Sequence, residues 1–194
     1  MKGWDIMLSE KEIEFKNLLT KEEFDRLLHS FNVSGKDFHS QTNYYFDTPD
    51  QYFKNNKIGF RLRVLENRNE ITLKIPVESH VMQEQTIVIS DQEKDNILSK
   101  SEFPSLSFIE ERNLDYNFKC IGSIQTNRAQ VDINNGVLFF DHSFYSQMED
   151  YELEYESQNV EIGHQFFMQL LKEHHIPIRK TDKKIARLVK TLKG

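Results

Sequence analysis

Cysteine is nearly absent from this chain: Cys120 is the only one in 194 residues. That excludes an intramolecular disulfide and a thiolate metal site. Glycine and proline are scarce, with seven and four residues. No Pro/Gly/Ser-rich linker, repeat or low-complexity tract divides the sequence, so a single domain over residues 1–194 is expected. No apolar run approaches bilayer-spanning length. The opening M-K-G-W-D-I-M-L holds no apolar signal-peptide stretch, and a cytoplasmic protein is the plain expectation. Basic residues are outnumbered. The formal net charge of −6 argues against a nucleic-acid or membrane partner bound by non-specific electrostatics, although a local basic site can exist inside an acidic protein. The seven histidines form no H-E-x-x-H pair, and there is neither a Gly-rich phosphate loop nor a nucleophile elbow.

Phenylalanine, at 15 residues, and well-mixed charge are plentiful, as in a globular chain with a sizeable core. The mixing is periodic. In Ser9 to Asn17, S-E-K-E-I-E-F-K-N, Glu10, Glu12, Glu14 and Lys16 fall on one face and Ile13 and Phe15 on the other, the alternation of a β-strand. Phe60 to Leu65 sets Arg61 and Arg63 against Phe60, Leu62 and Val64. Glu70 to Ile75, ended by Pro76, sets Thr72 and Lys74 against Ile71 and Leu73. Gln83 to Ile89 carries Glu84. Ile124 to Ile133 carries Arg128 and is joined through Asn134-Asn135-Gly136 to Val137–Tyr145, which holds Asp141 among aromatics. Tyr151 to Glu156, Y-E-L-E-Y-E, repeats the opening pattern with Glu152, Glu154 and Glu156 on one face. Gln41 to Asp47 is a further aromatic-rich strand.

Helices are marked by their caps. Thr20-Lys21-Glu22-Glu23 and Ser90-Asp91-Gln92-Glu93 are capping boxes, opening helices to about Phe31 and Lys100. The first offers an apolar stripe to Ile13 and Phe15. Thr48-Pro49 reads as the start of a short helix through about Lys54, and a short helix is expected around Phe108 to Arg112. Asn159 to His174 and Thr181 to Leu192 are amphipathic, the latter with Lys184 and Arg187 side by side.

A Glu-x-Glu or Arg-x-Arg strand by itself is ordinarily a solvated face. Here the opposite faces are apolar, and at least three amphipathic helices can cover them. The charged faces then line the inside of a closed antiparallel barrel, which also removes sheet edges. Its interior would hold an acidic patch, Glu10, Glu12, Glu14, Glu152, Glu154 and Glu156, and a basic patch, Lys16, Arg61, Arg63, Lys74 and Arg128. Carboxylates ligate hard cations such as Mg²⁺ or Mn²⁺, and guanidinium and ammonium groups hold phosphate oxygens. A condensed phosphate with its metal satisfies both. Without it, repulsion among Glu12, Glu14, Glu152 and Glu154 should strain the fold.

Glu12-Ile13-Glu14-Phe15-Lys16 (E-x-E-x-K), Tyr44 to Thr48, Arg61-x-Arg63, Thr72-x-Lys74, Arg128, Asp141, Glu152-x-Glu154 and Lys184-x-x-Arg187 form an ordered set. It resembles the CYTH superfamily, the triphosphate tunnel metalloenzymes, and is most similar to small single-domain bacterial members of the YjbK type. The resemblance implies an α+β fold: an eight-stranded antiparallel tunnel with a charged interior, flanked by helices. It implies divalent-metal-dependent hydrolysis of a triphosphate, first of all inorganic triphosphate. Thiamine or nucleoside triphosphates, adenylate cyclase chemistry and a non-catalytic polyphosphate sensor are the alternatives. Glu12, Glu14 and Glu154 are implied as metal ligands, with Glu152 supporting. Arg61, Arg63, Lys74, Arg128 and Lys184 are implied as phosphate clamps, and Lys16 and Arg187 stand in the matching basic motifs. Glu84 and Asp141 are implied as water-orienting groups. The C-terminal motif can also register on Lys180 or Lys183. Where relatives often carry an Arg and two glutamates on the strand around Gln83 to Thr86, this chain has only Glu84.

Overall fold

The computed structural model describes residues 8–192; the signal-peptide reading of the opening residues lies outside them. Eight strands, β1 (Leu8–Leu19), β2 (His39–Asp47), β3 (Gly59–Val64), β4 (Asn69–Glu78), β5 (Val81–Ile89), β6 (Lys119–Ile133), β7 (Gly136–Tyr145) and β8 (Met148–Ser157), close into one barrel in the order β1-β5-β4-β3-β2-β6-β7-β8. Every pairing is antiparallel. Six helices surround it: α1 (Lys21–Ser30), α2 (Tyr52–Asn55), α3 (Asp91–Lys100), α4 (Ser107–Glu110), α5 (Val160–Glu173) and α6 (Lys184–Thr191).

Apolar faces turn outward and are covered in two blocks. One joins Phe15, Phe140 and Tyr155 to Leu27 of α1 and Phe167 of α5. The other joins Phe60, Leu62 and Leu73 to Phe53 of α2, Ile97 of α3 and Phe108 of α4. Each such side chain taken from water contributes about 1.5–3 kcal/mol. Both predicted capping boxes form, Thr20 with Glu23 and Ser90 with Glu93. α5, rather than α1, covers Phe15: the Phe15 and Phe167 rings lie 6.1 Å apart, and a Cβ on Gly163 would come within 2.6 Å of Phe15. α1 instead sets Phe24 on Tyr151, 5.0 Å between ring centres.

Several boundaries differ from expectation. β4 runs through Pro76 to Glu78, because the register shifts between Pro76 and Glu78 and a bulge needs no proline N–H. α2 starts at Tyr52, after a left-handed Gln51; Thr48 accepts from the Tyr52 amide at 2.8 Å, and Asp47 from the Phe53 and Lys54 amides at 2.9 and 3.1 Å. α6 begins at Lys184 rather than Thr181. This last helix packs on inward-facing residues: Leu188 joins Tyr45, Ile124 and Tyr145 in a third small cluster. It therefore stops one end of the barrel. Gly122, at φ +156°, makes room for it, since a Cβ there would stand 3.2 Å from Leu188. No helix among the described residues is long and apolar enough to cross a membrane.

Candidate functional site

The barrel's inner faces carry the charge because each strand alternates. Glu14 of β1 stands opposite Glu156 of β8, and Lys16 opposite Glu154. On the other side of β1, Glu10 faces Glu84 of β5, which faces Lys74 of β4. Arg61 and Arg63 follow on β3, and Arg128 of β6 faces Asp141 of β7. Of the residues expected at the site, all but Glu152 and Arg187 border one cavity of about 1280 Å³.

Inside it the two signs interleave instead of forming separate patches. Lys74 Nζ contacts Glu12, Glu14 at 2.7 Å and Glu84 at 3.2 Å. Lys16 pairs with Glu14, and Arg61 lies 3.7 Å from Glu84. Arg128 grips Asp141 with two bonds of 2.7 and 2.6 Å and reaches Glu154. The Lys184 ammonium enters from α6 among Asp141, at 2.8 Å, Glu152 and Glu154. Lys180 and Lys183 also border the cavity, but Lys183 donates to the Lys57 carbonyl at 3.0 Å. Arg187, the second residue of the expected C-terminal basic motif, is bound to Glu152 at 2.6 Å and Asp150 at 2.9 Å. Asp141, expected to orient water, has no exposed surface and has both oxygens engaged by Arg128.

This pairing relocates the expected repulsion. Burial alone would raise the Glu14 carboxyl, but Lys74 and Lys16 outweigh it and hold it down at about 2. Strain falls on β8 instead. Burial, then a hydrogen bond with Glu12, pushes Glu156 up to about 8. Burial and Glu154 push Glu152 up to about 7 against the pull of Lys184 and Arg187. Arg63 is the opposite case. Burial, then Arg61 and Arg128, lowers its guanidinium to about 10. It has no ion pair among the described residues, only a 3.0 Å bond from Nε to Asn43.

Sequence reasoning missed Asn43, Asp150 and Tyr145 as supports of the charged residues. Asp150 stands two residues before Glu152 and shares its face, so period-two reading could have found it. Tyr145 and Asn43 are read as aromatic or polar strand residues until the barrel is closed.

The CYTH domain family matches residues 10–189. The chain belongs to this family. It is 35% identical over 184 residues, 93% of this chain and 95% of the other, to YjbK of Bacillus subtilis (strain 168), described as a candidate triphosphatase. A Bacillus halodurans structure described as a candidate adenylate cyclase is 34% identical, with TM-score 0.87 over 92% of this chain and 97% of its own. A CYTH-like fold also appears in HpAC1 from Hippeastrum, with TM-score 0.78 at 21% identity over 94% and 96% of the chains. That protein is described as a candidate adenylyl cyclase with a dominant triphosphatase activity.

CYTH membership implies a divalent metal, and the carboxylates offer two places for one. Asp141, Glu152 and Glu154 bring oxygens within 4.8 Å of one another, yet the Lys184 ammonium already contacts all three. Glu12 stands close enough to Glu156 to help raise its carboxyl, with Glu14 opposite Glu156 on the next strand. This second group, which Lys74 and Lys16 also contact, offers carboxylate oxygens of the kind a hard cation takes.

Proposed function

We propose that the chain hydrolyses a triphosphate, with inorganic triphosphate as substrate and pyrophosphate and phosphate as products. The observation that carries this reading is Arg63: a guanidinium set beside two other arginines, lowered to about 10 by burial and by them, with no carboxylate partner among the described residues. Such a cation is costly unless an anion arrives. Arg61, Lys74 and Arg128 border the same cavity and share the clamping, while Lys16 helps hold Glu14, and Lys184 Glu154, in the ionised form.

Glu12, Glu14 and Glu156 would hold Mg²⁺ or Mn²⁺, which supplies charge neutralisation to the phosphate oxygens. In this reading Glu152 and Glu154 serve Lys184 and Arg128 instead of the metal. Glu84 is the water-orienting group. Arg61, Lys74 and Arg63 outweigh its burial and keep its carboxyl low and ionised, and it borders the cavity. No protein nucleophile is needed. A cytoplasmic enzyme fits this substrate and the single exposed cysteine.

The test is phosphate release from tripolyphosphate, thiamine triphosphate, ATP and pyrophosphate with Mg²⁺ or Mn²⁺. Tripolyphosphate should be turned over fastest and pyrophosphate poorly. Turnover that survives thorough EDTA treatment, or efficient pyrophosphate hydrolysis, contradicts the reading.

A further inference from the structure

At the end of the barrel that α6 stops, β8 and α6 meet through a lattice of four charges. Asp150 and Glu152 share one face of β8, two residues apart; Lys184 and Arg187 stand three apart on α6. Glu152 gives one oxygen to each cation: Lys184 Nζ donates to Oε1, and Arg187 Nη1 donates to Oε2 at 2.6 Å. Asp150 holds the far side of the same guanidinium, with Oδ2 2.9 Å from Nε and Oδ1 3.4 Å from Nη2. The Tyr145 hydroxyl donates to Asp150 Oδ2, and the Asp182 carbonyl accepts from Arg187 Nη1 at 2.7 Å. Neither Tyr145 nor Asp150 borders the cavity.

A guanidinium facing a single carboxylate tends to engage both of its oxygens. If Arg187 did so at Glu152, Lys184 would lose its oxygen there. Asp150 draws the guanidinium aside and leaves Oε1 to the lysine. We propose that Asp150, oriented by Tyr145, is a positioning residue that acts through Arg187 and Glu152 to fix the Lys184 ammonium between Asp141 and Glu154. This rests on the triphosphatase reading, in which Lys184 holds Glu154 ionised beside the phosphate clamp Arg128.

The experiment is a double-mutant cycle on tripolyphosphate hydrolysis in the intact protein, with melting temperatures measured in parallel. Asp150→Asn should lower kcat/KM about tenfold, the worth of one charge-assisted hydrogen bond. Tyr145→Phe, which keeps its ring on Leu188 and so guards against a folding defect, should lower it less. Lys184→Met should lower it more, and neither Asp150→Asn nor Tyr145→Phe should then add a further loss. A merely structural role would give losses that multiply in the Lys184→Met background, or a lower melting temperature with unchanged kcat/KM; either result overturns the proposal. A wild-type protein inactive on tripolyphosphate, or a Lys184→Met variant as active as wild type, overturns the triphosphatase reading or the role of Lys184 in it, and the proposal with it.

Discussion

Arg63 and Glu156 are the two residues whose surroundings leave charge unbalanced, and each makes a prediction. Arg63→Ala should weaken tripolyphosphate binding by about 1.5–3 kcal/mol, the loss of a charge-assisted hydrogen bond, as read by calorimetry with Mg²⁺ present. Unchanged affinity would mean that the unpaired guanidinium is not part of the anion site. Glu156 predicts a pH dependence. Its carboxyl is pushed up to about 8 in the fold from an ordinary 4.5, so between those values the native state binds the extra proton. Metal-free stability should therefore fall as pH rises from about 4.5 to 8, by on the order of 1–3 kcal/mol once solvent screening is allowed for. Glu156→Gln should flatten that slope and melt above wild type at pH 9; a slope that persists in the variant excludes Glu156 as its source. Glu14 has the opposite sign. Held at about 2 by Lys74 and Lys16, it contributes stability that is present above 4.5 and lost as pH falls through 2. Glu14→Gln should lower the melting temperature at pH 7, contrary to the sequence expectation that repulsion among Glu12, Glu14, Glu152 and Glu154 strains the fold.

Among the elements, α6 ties stability to chemistry and α1 does not. Leu188→Ala empties the cluster that seats α6 against Tyr45 and Ile124 and should cost about 2–5 kcal/mol. It should also reduce tripolyphosphate turnover, because Lys184 rides on that helix. Thr20→Ala removes the cap of α1 for about 1 kcal/mol and should leave turnover unchanged. Equal effects of the two on turnover would separate α6 from the site. The inner strands were legible because Glu12-x-Glu14, Arg61-x-Arg63 and Glu152-x-Glu154 keep strict alternation against apolar neighbours, and Thr20 and Ser90 announce their helices with local chemistry. What failed depends on distant partners. Pro76 ends a strand by local rules, but a bulge opposite Met82 carries the ladder past it. Thr48 does cap Tyr52, but the helix starts three residues past Pro49, because Asp47 also reaches forward to α2. Arg187 looks like a phosphate ligand until Asp150 is seen beside it.

Across the whole molecule, closure of the barrel decides which charges meet. β1 lies between β5 and β8, so Lys74 reaches Glu12 and Glu14 while Glu12 also meets Glu156, and no local pattern in the chain states that interleaving. A ligand that neutralises the tunnel should stabilise the entire fold. Mg²⁺ with a slowly hydrolysed triphosphate analogue at a hundredfold excess over Kd should add about 2.7 kcal/mol, and Glu156→Gln should gain less; equal gains would remove Glu156 from the metal site. The most direct test of where the chemistry sits is a crystal structure with tripolyphosphate analogue and Mn²⁺, with the metal located by its anomalous scattering. The account predicts a Mn²⁺ peak among Glu12, Glu14 and Glu156, with phosphate oxygens on Arg61 and Arg63. A peak among Asp141, Glu152 and Glu154 with Lys184 displaced, or phosphate bound outside the tunnel, would contradict it.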